Sequence, residues 1–418
     1  MTSPTSDVVG SNCRFCGSPL EQSFCDLGMS PLANSYLVAD QLNDPEVFYP
    51  LHAYVCSSCF LVQLAEFTSA DSIFSDYAYF SSYSQSWLEH ASTYARSVIG
   101  RFGLDGSSSV VEIASNDGYL LQNFVDAGIP CLGIEPAKNV AVVAEERGIN
   151  TRVGFFGESL AGELAADGIQ ADLVIGNNVL AHVPDLNDFV TGLSQLLAPG
   201  GVITMEFPHL LELIEKNQFD TIYHEHFSYF SLLTVMRVFA SHGLRLFDVE
   251  RLSTHGGSLR IYACHAENGG HLTAPRVHEL IQVERAAALD DLAGYRAYTE
   301  RVKRTKRALV KFLVNARDNG LTVAAYGAPA KGNTLLNYCG VRDDLLDYTV
   351  DRSPHKQGHF LPGTHLPIYA PDHVRQTRPD YLLILPWNLR DEVIEDMSYI
   401  RDWGGRFVVP VPELAVID

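Results

Sequence analysis

Two Cys-x-x-Cys pairs lie near the N-terminus, and thiolates at this spacing bind metal ions. Cys13 and Cys16 form the first pair, Cys56 and Cys59 the second, and 39 residues separate the pairs. The two-residue gap lets both sulfurs of a pair reach one tetrahedral ion, so we predict a four-cysteine structural zinc site. A redox dithiol, which needs only one such motif, and four free thiols are the alternatives.

Tyrosine, histidine and glutamate side chains are densest in the segment 220–231, where Tyr223, His224, Glu225 and His226 are consecutive. A neutral imidazole, with a reference pKa near ~6.5, is a base at neutral pH, and hydroxyl and imidazole N–H groups stabilise a developing oxyanion. Such groups suit acid–base chemistry. A metal site at the His-x-His pair and a structural capping histidine are the alternatives.

A pattern of strand, turn and helix begins at residue 110 and reads Val-Val-Glu-Ile-Ala-Ser-Asn-Asp-Gly-Tyr-Leu. It lacks Gly-x-Gly-x-x-Gly, which disfavours a dinucleotide site, and it resembles a glycine-poor first motif of class I S-adenosylmethionine methyltransferases. An acidic residue at the end of the following strand would receive ribose hydroxyls. The predicted cofactor-binding residues are Glu112, Ala114, Asn116, Gly118, Glu135 and Asn177.

Two further motifs favour contacts with a phosphorylated sugar. Residues 326–333 follow a predicted strand and open a helix, where backbone N–H groups and a lysine would meet a diphosphate. An ordinary turn with an exposed lysine is the alternative there, and a hairpin is the alternative at residues 255–260. The predicted substrate-binding residues are His255, Ser258, Arg260, Gly327, Lys331 and Asn333.

Alternation of apolar runs with helical stretches predicts an α/β fold with parallel sheets that position these motifs. The apolar runs are 110–115, 131–135, 171–177 and 201–207 in the middle of the chain, and 322–326, 347–351, 381–385 and 406–411 towards its end. A strand pair, 244–251 and 258–265, is expected to be antiparallel. The helical stretch 274–319 carries basic residues, which we interpret as a solvated face.

Composition narrows the classes of function. A length of 418 residues predicts two or three domains, and a hydrophobic content of 46% fits a globular enzyme. The net charge of −20 argues against nucleic-acid binding. The N-terminal residues do not resemble a secretory signal, and no apolar stretch suggests a membrane span. We therefore expect a cytoplasmic protein with reduced cysteines.

Taken together, the motifs resemble those of the nucleotide-sugar C-methyltransferases, which act on NDP-4-keto-deoxysugars. The resemblance covers essentially the whole chain. The motifs that carry it are the cysteine pairs and the segments 76–82, 112–118, 177–184, 223–226, 254–260 and 326–334.

The resemblance implies three domains. These are a zinc-binding domain at 1–76, a Rossmann-like methyltransferase domain that binds S-adenosylmethionine at 77–290, and a Rossmann-like α/β domain that binds the sugar nucleotide at 291–418. It also implies thymidine as the nucleobase. The family's functional positions fall on Tyr77, His182, Tyr223, Glu225 and His226.

The reaction expected from the resemblance is methylation of the carbon next to a ketone, by attack of an enolate on the sulfonium methyl group. We take His226 as the base, with Glu225 as its rival or its orienting partner. An O- or N-methyltransferase and a non-catalytic scaffold that binds S-adenosylmethionine remain alternatives, and a zinc hydrolase is disfavoured because four cysteines leave zinc no water position. The ring carbon (C-3 or C-5), an amino group on the substrate, and the choice between monomer and homodimer stay open.

Overall fold

The computed structural model of the chain describes residues 12–69, 81–83 and 85–418. Tyr77, one of the expected functional positions, lies outside the described residues. Three β-sheets of four, seven and six strands organise the described parts of the chain. No helix among the described residues is long and apolar enough to cross a membrane.

The N-terminal segment contributes three antiparallel strands in which inward-facing residues are apolar. These are β1 (Gln22–Ser30), β2 (Tyr49–Val55) and β3 (Val62–Leu64). Along β2 the buried residues Leu51, Ala53 and Val55 alternate with partly exposed ones, as expected for a strand with one face in the core. The first cysteine pair precedes β1 in the chain, and the second lies in the turn between β2 and β3.

The middle of the chain forms the seven-stranded sheet, in the order β10-β11-β8-β7-β4-β5-β6. Its strands β4 to β8 are parallel, and β10 and β11 are antiparallel as predicted. The short strand β9 joins the N-terminal sheet instead, next to β3. The strands are β4 (Val110–Ile113), β5 (Cys131–Glu135), β6 (Thr151–Val153), β7 (Ala171–Asn177), β8 (Leu197–Pro208), β9 (Ser228–Tyr229), β10 (Leu244–Leu252) and β11 (Ser258–His265).

Helices connect these strands and cover both faces of the sheet. Their order is α1 (Gln85–Phe102), α2 (Gln122–Asp126), α3 (Lys138–Glu146), α4 (Glu158–Ala166), α5 (Leu186–Leu196), α6 (Leu210–Glu215), α7 (Leu232–Ala240), α8 (Pro275–Ala286) and α9 (Tyr298–Asp318). Helix α9 buries residues such as Tyr298, Val302, Leu309 and Leu313 at helical spacing, so one face is packed in the core. Basic residues including Lys303 remain exposed, in line with the interpretation of a solvated face.

The C-terminal segment forms the third sheet, in the order β14-β13-β12-β15-β16-β17. All of its pairings are parallel except that of β16 with β17. The strands are β12 (Val323–Tyr326), β13 (Thr349–Val350), β14 (Ile368–Tyr369), β15 (Tyr381–Ile384), β16 (Arg406–Val409) and β17 (Ala415–Ile417). The helices are α10 (Ala330–Cys339), α11 (His373–Thr377) and α12 (Arg390–Asp396).

Short 3-10 helices occur at several connections between these elements. They are Ala39–Asn43, Ser81–Tyr83, Leu180–His182, Phe219–Thr221, Thr254–Gly256, Leu292–Gly294, Trp387–Leu389 and Ser398–Trp403. Four of them, those ending at Tyr83, His182, Thr221 and Gly256, border the cavity described below.

One hydrophobic core joins the N-terminal sheet to the C-terminal segment. Phe24 from β1, Phe219 from the middle of the chain and Leu336 from α10 belong to the same buried cluster. The Phe24 ring stacks on Tyr298 of α9, with 4.7 Å between the ring centroids. The N-terminal segment is therefore packed into the rest of the chain.

Replacing Phe24 with alanine is expected to lower the free energy of unfolding by about 3 to 5 kcal/mol, because it leaves a cavity beneath a fully buried aromatic ring. Urea denaturation of the full chain measures the change. Met29→Ala on the same strand is the control, since Met29 is 55% exposed. Equal effects of the two substitutions would contradict this account of the core.

Candidate active site

A cavity of about 650 Å³ opens at the carboxyl ends of the parallel strands of the middle sheet. Strand order reverses between β4 and β7, and crevices at such reversals bind ligands in open α/β sheets. We call one wall the sheet side, lined by Ala114, Asn116, Glu135, Phe156, Asn177 and Pro184. We call the other wall the loop side, lined by Asn34, Tyr223, Glu225, His226, Lys331 and Lys356.

On the sheet side, the turn after β4 brings the backbone close to the space where a ligand would lie. Ala114 and Asn116 adopt positive φ angles of 56° and 51°, a left-handed conformation that is uncommon for residues other than glycine. The Asn116 N–H donates to Glu135 Oε2 at 2.9 Å. This contact ties the turn to the end of the neighbouring strand, β5.

The carboxyl group of Glu135 is held in a defined orientation at the end of β5. Its second oxygen, Oε1, accepts a hydrogen bond from the Ala137 N–H at 2.9 Å. Burial raises the pKa of Glu135, and the two backbone N–H groups oppose that shift. Each carboxylate oxygen keeps a lone pair that two vicinal hydroxyls of a ribose can use. Apolar and aromatic residues such as Phe156 line the wall nearby and suit a purine ring.

On the loop side, hydrogen bonds define the protonation of His226. The ring atom Nδ1 lies 2.8 Å from the Thr221 carbonyl oxygen, which only accepts, so Nδ1 carries the proton of the neutral ring. The other nitrogen, Nε2, then accepts from the Tyr223 hydroxyl at 2.9 Å. Burial, and next the neighbouring His182, lower the pKa of His226 well below its ordinary value. Nε2 is therefore a neutral proton acceptor at neutral pH.

Glu225 and His182 flank this base. Burial raises the pKa of Glu225 to about 7, and a hydrogen bond from Asn34 Nδ2 to Glu225 Oε1 at 2.6 Å opposes the shift. Burial lowers the pKa of His182 to about 4, so its ring is neutral. The rings of His182 and His226 meet edge to face, with centroids 4.7 Å apart. Four of the five expected functional positions thus line one cavity.

Two lysines supply positive charge to the loop side near the start of α10. Lys331 Nζ donates to Asn388 Oδ1 at 2.6 Å and lies 4.7 Å from the centre of the Trp387 ring. Burial lowers the pKa of Lys331 to about 8, and Asp220 opposes the shift. Lys356 Nζ donates to the Ala328 carbonyl at 2.9 Å. The wall beside the helix N-terminus is therefore locally basic within an acidic protein.

Arg260, expected to bind substrate, does not line the cavity. Its Nη2 donates to Glu206 Oε2 at 2.7 Å, and its guanidinium lies 4.4 Å from the centre of the Tyr94 ring. Glu206 also accepts from Thr254 Oγ1 at 2.9 Å, at the start of the turn that carries His255 into the cavity. The structure therefore places Arg260 behind that turn, where its charge is already paired.

Five other expected residues also lie outside the cavity wall, each for a local reason. Ser258 donates to the Thr254 carbonyl at 3.0 Å, and Asn333 accepts from Asn337. Gly118 and Gly327 have positive φ angles and close neighbours. A Cβ atom would lie 2.7 Å from Ile149 at position 118 and 2.5 Å from Pro386 at position 327. Glu112 is fully buried in β4, where burial, followed by Glu135 and Asp117, raises its pKa well above the ordinary value.

Asn34, Trp87 and Lys356 are among the cavity residues that were not identified from the sequence. Each stands outside the motifs, and only the tertiary fold brings it to the cavity. Asn34 follows β1 in the N-terminal segment, yet it contacts Glu225, 191 positions along the chain. An unexplained polar residue in a loop was the only signal available for Asn34 and Lys356.

The four cysteines predicted as metal ligands form one cluster, with all of their sulfurs within 4.8 Å of one another. The Cys13–Cys59 and Cys16–Cys56 sulfur pairs are each 3.5 Å apart. Around a tetrahedral ion with Zn–S bonds of about 2.3 Å, sulfurs stand roughly 3.8 Å apart, so the cluster fits zinc. The ion would hold the two turns together, and its closed four-sulfur shell would take no part in chemistry.

Comparison with known families gives a consistent result along the chain. Residues 13–74 match a zinc binding domain, residues 87–249 a methyltransferase domain, and residues 253–412 the C-methyltransferase C-terminal domain. Together with the sheet order and the cavity at its reversal point, these matches define a methyltransferase of the Rossmann-like class.

A curated relative narrows that class. The chain is 38% identical to the C-methyltransferase NovU of Streptomyces niveus over 408 residues, which cover 97% of this chain and 96% of the relative. The chain belongs to this family of S-adenosylmethionine-dependent C-methyltransferases with an N-terminal zinc-binding domain.

Similar solved structures cover a little under half of the chain. Magnesium protoporphyrin IX methyltransferase from Synechocystis PCC 6803 with bound SAM is 15% identical, with a TM-score of 0.33 over 43% of this chain and 79% of its own. The PH0226 protein from Pyrococcus horikoshii OT3 is 16% identical, with a TM-score of 0.37 over 48% of this chain and 99% of its own.

Replacing Cys56 with serine is expected to reduce bound zinc from about one ion per chain to near zero, because a hydroxyl does not replace a thiolate ligand. Elemental analysis of the purified chain measures the metal. Cys131→Ser is the control, since Cys131 lies outside the cluster. Full zinc occupancy in the Cys56 variant would refute the four-cysteine site.

Proposed function

We propose that the protein C-methylates an NDP-4-keto-6-deoxysugar, with dTDP as the expected nucleotide, at a carbon next to the ketone. The observation that carries this proposal is the hydrogen-bonded Tyr223–His226 pair, which leaves His226 Nε2 as a neutral proton acceptor inside the cavity. A carbon acid needs a base of this kind, whereas transfer to an amine or a hydroxyl does not depend on removing a proton from carbon.

His226 would remove the proton on the carbon next to the ketone. Its Nδ1–H stays bonded to the Thr221 carbonyl, which keeps the ring oriented and favours the positive charge that the ring gains. General bases positioned in this way contribute about 10²- to 10⁴-fold to rates. His226 has a carboxyl neighbour in Glu225, which is the rival base.

The enolate oxygen would need hydrogen-bond donors, because a neutral imidazole alone is too weak to ionise a C–H bond. The Tyr223 hydroxyl lies beside the base and would turn from His226 Nε2 to the enolate oxygen, which also frees the Nε2 lone pair for the proton. His182 is neutral and buried, and its single N–H would serve as a second donor only on leaving the Glu225 carbonyl. Donors fixed in a site that excludes water are worth about 3 kcal/mol each for a developing oxyanion.

S-adenosylmethionine supplies the electrophilic methyl group when bound. The sheet side fits it: Glu135 would bind the ribose hydroxyls, the turn at Ala114–Asn116 would approach the donor closely, and Asn177 ends the strand beside the expected methionine portion. Its placement there would leave the loop side of the cavity for the methyl acceptor.

The sugar nucleotide would bind on the loop side, where positive charge is available. Lys331 and Lys356, together with the backbone N–H groups at the start of α10, suit a diphosphate. These two lysines take the place of the Arg260–Lys331 pair expected from the sequence. The N-terminal segment would close the site through Asn34 and Tyr36, whose hydroxyl donates to the Ala328 carbonyl at 2.6 Å.

The proposal is tested by incubating the chain with methyl-labelled S-adenosylmethionine and a panel of dTDP-4-keto-6-deoxysugars, with and without an amino group. NMR of the product is expected to show a new methyl carbon bonded to C-3 or C-5. A methyl group on oxygen or nitrogen would support the second class of methyltransferase instead. Tight binding of S-adenosylmethionine with no transfer to any sugar would support a non-catalytic scaffold.

Replacing His226 with asparagine is expected to slow solvent deuterium exchange at the substrate α-carbon by about 10²- to 10⁴-fold. Glu225→Gln is the matched variant, and it should retain exchange if Glu225 only orients the His226 ring. Exchange should also stay level across neutral pH, because burial holds the pKa of His226 well below its ordinary value and the ring is already neutral there. If the exchange rate instead rises with pH through about 7, and this rise is absent in Glu225→Gln, then Glu225 is the base.

The kcat/KM for the nucleotide sugar is expected to fall above about pH 8, as Lys331 loses its proton and its attraction for the diphosphate. Lys331→Arg should shift this alkaline limb upward, since a guanidinium stays charged. Lys356→Arg is the control: burial lowers the pKa of Lys356, but Tyr36 and Asp351 outweigh it and raise the pKa above its ordinary value. If kcat/KM of Lys331→Arg still falls above the same pH, the charge of Lys331 does not account for the fall.

A further inference from the structure

Arg14 connects the first cysteine pair to both walls of the cavity. It stands between Cys13 and Cys16 in the chain, so its backbone belongs to the metal-binding turn. Its Nη1 donates to the Pro184 carbonyl and its Nη2 to the Leu64 carbonyl, each at 2.5 Å. One planar guanidinium therefore joins the segment after β7 to strand β3.

The same guanidinium also packs on the segment that carries the proposed base. Its Cζ atom lies 5.3 Å from the centre of the Phe227 ring, and Phe227 directly follows His226. The contact is of the cation–π type, which contributes about 0.5 to 2 kcal/mol depending on burial. Arg14 thus touches the segments on either side of the reacting groups.

Contacts in the opposite direction complete the connection. Asn187, in the first turn of α5, donates through Nδ2 to the Arg14 carbonyl at 3.3 Å and to the Phe15 carbonyl at 3.0 Å. Gln63 of β3 accepts from the Arg14 N–H at 2.9 Å and donates to Cys13 Sγ at 3.2 Å. Hydrogen bonds therefore run in both directions between the metal-binding turn and the start of α5: from Arg14 to the Pro184 carbonyl, and from Asn187 to the carbonyls of the turn.

The segment that Arg14 holds is part of the sheet side of the cavity. Val183, Pro184 and Asp185 all line the cavity, and the Asp185 carboxylate caps α5 by accepting from the Asp188 N–H at 3.0 Å. A displacement of Pro184 would therefore move the wall itself as well as the helix that follows it.

We propose that Arg14 is a positioning residue that couples the zinc-binding turn to the wall of the S-adenosylmethionine site. This inference rests on the proposed function, which assigns the donor to the sheet side. A lysine keeps the charge, but its single ammonium group cannot span two carbonyl oxygens in the plane of a guanidinium. The charge alone is therefore insufficient, and the forked shape of the side chain is what matters.

The test compares Arg14→Lys with the wild-type chain by isothermal titration with S-adenosylmethionine alone. We expect the dissociation constant to rise about tenfold, while bound zinc stays at its wild-type level. Arg237→Lys is the matched control: Arg237 donates to the Ser58 carbonyl at the second cysteine pair and lies over the Phe60 ring, but it does not line the cavity. It should leave the dissociation constant within twofold of wild type.

Amide hydrogen exchange of residues 182–188 provides a second measurement that needs no ligand. Exchange there should quicken in Arg14→Lys and not in Arg237→Lys. If the wild-type chain does not bind S-adenosylmethionine, the proposed function fails, and this exchange measurement still decides the coupling. Unchanged exchange together with an unchanged dissociation constant in Arg14→Lys would overturn the inference.

Should Arg14→Lys fail to fold, as judged by thermal unfolding, Asn187→Ala tests the same connection from the other side. It removes both side-chain bonds to the metal-binding turn and leaves the guanidinium in place. We expect a several-fold rise in the dissociation constant at full zinc occupancy. Wild-type behaviour of Asn187→Ala in both binding and exchange would overturn the inference.

Discussion

The pairing of β3 with β9 is the constraint on which the loop side of the cavity depends. It joins Val62 to Tyr229 and is extended by the bond from the Leu64 N–H to the Phe227 carbonyl at 3.0 Å. On the other side, the Phe227 N–H donates to the Ala181 carbonyl at 2.7 Å. The residue after His226 is therefore bonded to both the N-terminal sheet and the segment that carries His182. A backbone bonded in this way leaves the imidazole little freedom to move, which a base that must meet one particular carbon requires.

Burial controls the charge state of the groups that this pairing brings together. It lowers the pKa values of His182 and His226, and raises that of Glu225 to about 7. The two imidazoles of the loop side are consequently neutral before reaction, and Glu225 is only partly ionised at neutral pH. A site of this kind stabilises one developing negative charge strongly, because few competing charges or waters screen it. The same burial that is unfavourable for ionised side chains is thus compatible with the proposed enolate chemistry.

Features set by local sequence could be predicted, and features set by tertiary contacts could not. The cysteine spacing predicts a cluster because Cys13 and Cys16 lie on one turn, and the apolar runs predict β4, β5 and β7 within a few residues. Asn34 and Lys356 carry no local signal, since the fold alone brings them to the cavity. Arg260 shows the reverse case: its motif suggested a free cation, but its partner Glu206 lies on the neighbouring strand β8, and strand register is not visible in a single motif.

The two walls of the cavity differ in how they are built, and this difference has a consequence for specificity. The sheet side comes from the ends of consecutive parallel strands of one sheet, so a single folding unit forms it, and Arg14 ties it to the metal-binding turn. The loop side combines Asn34 from the N-terminal segment, His226 from the middle and Lys331 from the C-terminal segment. Changes in packing between segments therefore alter the loop side at several points, whereas the sheet side depends on such packing mainly where Arg14 and Asn187 meet. If donor and acceptor bind as proposed, a fold of this design can change its methyl acceptor through contacts between segments and retain the same methyl donor, since the two walls differ in structural origin.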